Sequence, residues 1–131
     1  MSDCKIFHNK IVPVDAAVIA TTSSYTSTWI DTSGWVEKVV ELEIDDSGTV
    51  DVNVTLHISS QDNYELNNKT CTTDDYESVV IVNAHTGKVS VRYDSDDVAD
   101  LGKPIRAMRV FAENDEGSTA STVTVSIQGQ S

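Results

Sequence analysis

The sequence has few cysteines and no long apolar run. Its 131 residues include only two cysteines, Cys4 and Cys71, and neither stands in a CxxC or CxxH pattern, so neither a disulfide framework nor a cysteine metal site is indicated. No apolar run suits a membrane span or a signal peptide. We therefore expect a chain that stays in a reducing cytoplasm, with free thiols favoured over a single disulfide between Cys4 and Cys71.

Basic residues are also scarce. Nine lysines and arginines stand against 21 aspartates and glutamates, which gives a formal net charge of −12. Because nucleic-acid affinity comes largely from basic side chains that displace counterions from phosphates, binding to DNA or RNA is not expected. Arg106 and Arg109 lie in a predicted strand, which favours salt bridges or interface contacts for them.

The sequence does contain a repeated alternation of apolar and polar residues. Residues 50–58, for example, are apolar at every second position, which is typical of a strand with one buried face. Strands are predicted on this basis at residues 11–20, 28–31, 40–44, 50–58, 78–83, 88–93, 105–112 and 123–127. About eight short strands without helical periodicity predict an all-β protein, an antiparallel β-sandwich with a jelly roll as the preferred topology.

Short polar segments divide the predicted strands. Residues 46–49, 84–87 and 114–117 each predict a β-hairpin, and Gly48 is expected to take a positive φ in the first of them. One short helical turn is predicted at residues 96–101. We expect a single domain, in which residues 1–20 form an arm and first strand and residues 21–131 form the body of the sandwich.

The titratable residues do not form a pattern that indicates catalysis. His8 is near the terminus, His57 falls on the polar side of its strand and His85 is in a turn, so no two are spaced as ligands. No G-x-S-x-G motif is present, and the paired acids at residues 45–46, 74–75 and 96–97 are expected in exposed loops. The sequence predicts no enzyme, no catalytic residues, no cofactor and no metal site.

One acidic segment, residues 94–100, has enough oxygen ligands to suggest calcium. It differs from an EF-hand loop, because Ala99 stands at the sixth position where that loop needs glycine. A solvated acidic connection is therefore the favoured interpretation, and the calcium site stays open.

Two tryptophans allow a second interpretation of function. If Trp29 or Trp35 were exposed beside polar side chains, it would provide a surface on which sugar rings stack. Packing in the core or at its rim is the favoured expectation.

The N-terminal residues suggest a role in assembly. Ile6, Phe7, Ile11 and Val12 put apolar side chains ahead of the regular strands, and we expect them to form an assembly interface. Pro13 favours an edge position, because proline lacks the N–H that a central strand uses. Residues 11–19 are predicted as an edge strand of their own sandwich, and residues 1–10 as an arm that adds to a neighbouring subunit.

Residues 29–35, followed by an alternating strand, an acidic glycine turn and a long alternating strand, are similar to small β-sandwich proteins of tailed bacteriophage particles. Residues 105–110 and 123–127 resemble the closing strands of these modules. The resemblance implies a capsid cement or decoration protein, made in the host cytoplasm and located in the virion, which forms homo-oligomers and binds the major capsid protein or another virion protein. A carbohydrate-binding or tail-associated adhesion module is the alternative.

Overall fold

The computed structural model describes residues 10–45, 51–85, 88–115 and 120–130. These residues form nine strands: β1 (Ile11–Ile19), β2 (Ser23–Thr26), β3 (Ile30–Asp31), β4 (Glu37–Asp45), β5 (Val52–Ser59), β6 (Glu77–His85), β7 (Val89–Tyr93), β8 (Ala107–Asn114) and β9 (Ser121–Gln130). A helix, α1 (Asn63–Asn67), and a 3₁₀ turn (Ala99–Gly102) complete the described elements. The predicted all-β class is confirmed, and so is a short helical turn near residue 100.

The strands form two antiparallel sheets that pack face to face. The first sheet has the order β1-β9-β4-β7, and the second has the order β2-β8-β5-β6, with β3 also paired to β8. With β2 and β3 taken as one interrupted strand, each sheet has four strands, and the chain passes between the sheets as in a jelly roll. The predicted sandwich and its preferred topology are both confirmed.

All three predicted hairpins are wrong. The two strands of each pair, β4 with β5, β6 with β7 and β8 with β9, lie in different sheets. Alternation shows which face of a strand is buried but not which strand is its neighbour, and a short connection can cross the end of a sandwich. Residues 46–50, 86–87 and 116–119, which include Gly48 and most of the predicted turns, lie outside the described residues.

The core lies between the two inner faces. It is built from buried valine, isoleucine, leucine and methionine at every second position of the central strands, including Val40, Leu42 and Ile44 of β4, Val52, Val54 and Leu56 of β5, Met108 and Val110 of β8, and Val123, Val125 and Ile127 of β9. Each sheet therefore needs the other to bury its apolar face.

A charged residue ends this apolar row. Lys38 has the same inward parity as Val40 and is fully buried. Its Nζ donates hydrogen bonds to the carbonyl oxygens of Lys103, at 2.5 Å, and Trp35, at 3.3 Å. Burial lowers the pKa of Lys38, and the neighbouring charge of Glu37 opposes that shift. The buried ammonium thus joins two loops at one end of the sandwich.

Trp35 covers the end of β9. A Cβ atom added to Gly129 would overlap the Cδ2 atom of the Trp35 indole, so the ring lies directly on the glycine backbone. Trp35 is half-buried and packs against the main core. The expected position of this tryptophan at the core rim is confirmed, and it explains why a residue without a side chain stands at position 129.

We predict that Gly129→Ala destabilises the protein because the indole must move. Overpacking of this kind costs about 1–3 kcal/mol of unfolding free energy. The same substitution in a Trp35→Ala background should cost clearly less, since the overlapping ring is gone. Chemical denaturation of the four variants measures this coupling, and equal costs in both backgrounds would contradict the contact.

Candidate functional site

The predicted assembly residues divide between the sandwich and the undescribed N-terminus. Ile11 begins β1, pairs with Ile127 and packs half-buried against the core, whereas Val12 is 40% exposed. Ile6 and Phe7 lie outside the described residues. The structure therefore brings Ile11 and Val12 together on an edge strand, as Pro13 indicated. Their role in assembly stays a prediction.

The β1 edge is irregular. Its register with β9 shifts between Ile11 and Val14 and again between Val14 and Ala17. Ala16 has a φ of 47°, and its N–H donates to Oγ1 of Thr124 at 3.0 Å instead of to a strand carbonyl. Bulges and a proline make an edge a poor template for another strand.

His57 is buried, so the prediction that it faces water is wrong. It is only 6% exposed, its ring stacks 4.0 Å from Tyr76 and 5.9 Å from Phe111, and its Nδ1 accepts a hydrogen bond from Nε of Arg109 at 2.9 Å. Residues 60–76, which connect β5 to β6, supply Tyr76 and α1 to this outer face. Alternation alone does not reveal a long connection that covers the polar side of a strand.

Trp29 belongs to the same cluster. It is 3% exposed, and the Arg109 guanidinium lies 4.7 Å from its ring and 5.1 Å from that of Tyr76. The Asn67 side chain accepts from the Trp29 N–H at 2.8 Å and donates to its carbonyl at 3.0 Å. Trp29 is thus packed as expected, and its indole is not available as a sugar platform.

The two predicted strand arginines have different partners. Arg109 makes the cation–π contacts and the histidine hydrogen bond, whereas Arg106 forms a surface ion pair with Asp62 at 3.4 Å. Asp62 also caps α1, because its carboxylate accepts from the N–H of Tyr64 at 2.7 Å. An exposed ion pair contributes little stability, so the cluster around Arg109 is the stronger anchor of this loop.

The acidic segment at residues 94–100 uses its carboxylates to hold its own turn. Asp94 accepts from the N–H of Asp96 at 2.9 Å, and Asp97 accepts from the N–H of Asp94 at 3.1 Å. Across the described ranges, no three His, Cys, Asp or Glu side chains are grouped as metal ligands. Calcium binding therefore has no further support from the geometry.

A cleft of about 520 Å³ is lined by polar residues near the β5–β6 connection. Asp75 at its wall accepts from Lys69 at 2.7 Å and from Gln61 and the Thr72 N–H, and these bonds hold its pKa well below the usual range. Ser59 donates to the Asp75 carbonyl at 2.7 Å. Ser59 and Asp75 are therefore structural residues of this wall, because their side-chain oxygens are engaged with loop atoms, and no histidine lines the cleft.

The two cysteines differ in what the structure describes of them. Cys71 is half-buried, and its thiol contacts the Leu66 carbonyl at 3.4 Å, whereas Cys4 lies outside the described residues, so the question of pairing stays open. Among the described helices, none has the length and apolarity to cross a bilayer.

The geometry defines a jelly-roll sandwich with no recognisable catalytic constellation in its described part. No family model matches the sequence, and no curated protein matches it. Solved structures do match in fold. They include the T=1 particle of infectious bursal disease virus (9% identity, TM-score 0.63), the Gx strain of that virus (12%, 0.58) and its VP2 subviral particle (12%, 0.57).

These matches cover 98% of this chain but only 32–33% of the viral chains. The chain thus spans about a third of the length of the structures that it resembles. At 9–12% identity the likeness shows a shared fold, that of a sandwich found in proteins of virus particles.

We predict a pH-dependent stability that originates at His57. Burial, together with the Arg109 charge, lowers its pKa from 6.5 to about 4. The unfolded chain therefore binds this proton more readily than the folded one, and stability should fall as the pH falls from about 6.5 towards 4. Denaturation of the parent and of His57→Gln across this range isolates the effect, since the carboxylates are common to both. A difference between the two proteins that does not vary with pH would contradict it.

Proposed function

We propose that this chain is a structural protein of a virus particle, a decoration or cement module that binds the outer capsid and stabilises contacts between coat subunits. The observation that carries the proposal is the fold match to proteins of infectious bursal disease virus particles, which extends over 98% of the chain. The resemblance of residues 29–35, 105–110 and 123–127 to tailed-phage particle proteins supports the narrower decoration role. The partners are then the major capsid protein, another virion protein or further copies of the chain.

The surface chemistry supports a non-enzymatic role. The net charge of −12 favours an outer position, where the protein is kept soluble and away from packaged nucleic acid. In the polar cleft near the β5–β6 connection, the Ser59 hydroxyl and the Asp75 carboxylate stabilise the loop, so binding and assembly are the functions that this surface supports best.

A carbohydrate-binding or tail-associated adhesion module is the second candidate. Trp35, Val36, Pro104 and Arg106 line an open, largely apolar groove of about 290 Å³, and a half-buried indole beside an arginine is suited to stacking on a sugar. Binding to a glycan array that is lost in Arg106→Ala, with the fold intact, would favour this alternative over the capsid role.

The proposal predicts that the chain is an abundant component of purified virus particles. Quantitative mass spectrometry of particles from the source of the sequence should find it in a fixed ratio to the coat protein through successive gradients, because a decoration protein occupies repeated sites. A trace amount that declines with each purification step would contradict a virion role.

The N-terminal arm gives a second prediction. Deleting residues 1–10 should leave the circular dichroism spectrum unchanged, since β1 begins at Ile11, but weaken attachment to particles. The deletion also removes the exposed ion pair between Lys10 and Glu41 at 3.1 Å, so Lys10→Ala is the matched control. If the truncated protein attaches as the parent does, Ile6 and Phe7 are not part of the interface.

A further inference from the structure

The outer strands of the two sheets differ in how well they resist pairing with another chain. Three of the four edges are blunted: β1 contains Pro13 and two register shifts, the interrupted edge of β2 and β3 has segments of only four and two residues, and β7 has five residues with Arg92 exposed on it. The fourth, β6, has nine residues and contains no proline, lysine or arginine, and its two register shifts with β5 both lie beyond Val80, so residues 77–80 stay regular. Exposed strand edges are usually protected by such features, so β6 is the edge best suited to accept another strand.

The first half of β6 is a regular template. Glu77, Ser78, Val79 and Val80 pair in register with Ile58, His57, Leu56 and Thr55 of β5. The register shifts only beyond Val80. Since β6 ends the sheet, its backbone groups on the side away from β5 face outward from the sandwich. Main-chain pairing with another strand would satisfy these groups.

Apolar side chains accompany this edge. Val80 is 61% exposed and lies in one row with Thr55 and Phe111 on the outer face. Five apolar side chains of β6 and β7 pack against the core and stay partly exposed themselves: Val79, Ile81, Val89, Val91 and Tyr93. We call residues 77–83 and 89–93 the β6/β7 flank. A partner at this flank would complete the burial of the core margin.

The charge of this region differs from that of the whole chain. The β6/β7 flank contains one acid, Glu77, and one base, Arg92, whereas the chain has a net charge of −12. Elsewhere the charge opposes the approach of a second copy, as on β4, where Glu41, Glu43 and Asp45 follow one another on the outer face. The flank is thus a surface on which two copies meet with little repulsion.

We propose that the β6/β7 flank binds a second copy of this chain, with the two β6 strands paired antiparallel across a two-fold axis. A second copy fits because it brings the same regular stretch at residues 77–80 and the same weakly charged margin, and a two-fold contact uses one surface on both subunits. The inference deepens the self-association in the proposed function and rests on it for its biological setting. Its test uses the isolated chain, so the two can fail separately.

Sedimentation of the full chain over a range of concentrations tests the interface. The parent should dimerise, and Val80→Lys should raise the dimer dissociation constant at least about tenfold, because a lysine on the edge opposes strand pairing. Val18→Lys is the matched control, since Val18 is 71% exposed on the opposite edge strand β1, and it should dimerise as the parent does. A monomeric parent, or equal effects of the two lysines, would overturn the inference.

Hydrogen exchange provides a readout that needs no variant. Amides of residues 78–83 should gain protection as the protein concentration rises, whereas those of β1 should not. Dimerisation without added protection in β6 would place the interface elsewhere and overturn the inference. A monomeric chain that is nonetheless abundant in particles would overturn the β6 dimer but leave the proposed function standing. A β6-paired dimer that is absent from particles would overturn the proposed function but leave the dimer interface standing.

Discussion

The packing of two apolar inner faces against each other is the constraint on which the rest of this molecule depends. The side chains of one sheet are removed from water by packing against those of the other, as Val40 and Leu42 do with Leu56 and Val110 in the core. The first sheet joins β1 to β9 and β9 to β4, so its hydrogen bonds connect the two ends of the described chain. Neither sheet forms from a local segment, and folding must bring distant strands together before the core is buried.

The same constraint determines which surfaces remain for contacts. With the inner faces buried, the chain presents its polar outer faces, its loops and the margins where the sheets end. The loop at residues 60–76 covers part of one outer face, where its Tyr76 packs against Trp29, His57 and Arg109. Lys38 and Trp35 close one end of the sandwich. The edge strands of the two sheets remain available for contacts with other chains, and sandwich proteins can assemble by pairing such edges.

The sequence predicted the strands well and their neighbours poorly. Alternation placed Val54 and Leu56 inward, and Pro13 indicated an edge, because both signals are local. Hairpins, by contrast, depend on which sheet the next strand joins, and burial patterns carry no such information. Lys38 and His57 were missed for a related reason: each is buried by residues distant in sequence. The β6/β7 flank could not be predicted from the sequence, because it is defined by the order of strands in the two sheets. The predicted assembly residues Ile6 and Phe7 lie outside the described residues.

We propose that this jelly-roll sandwich, with its acidic surface and its accessible β6 edge, functions by occupying repeated positions on a virus particle. Electron cryomicroscopy of purified particles, at a resolution that traces side chains, tests this most directly. It should show the sandwich in symmetry-related copies on the outer capsid, in contact with coat subunits. A complete particle map in which every ordered chain is accounted for without this sandwich would contradict the account.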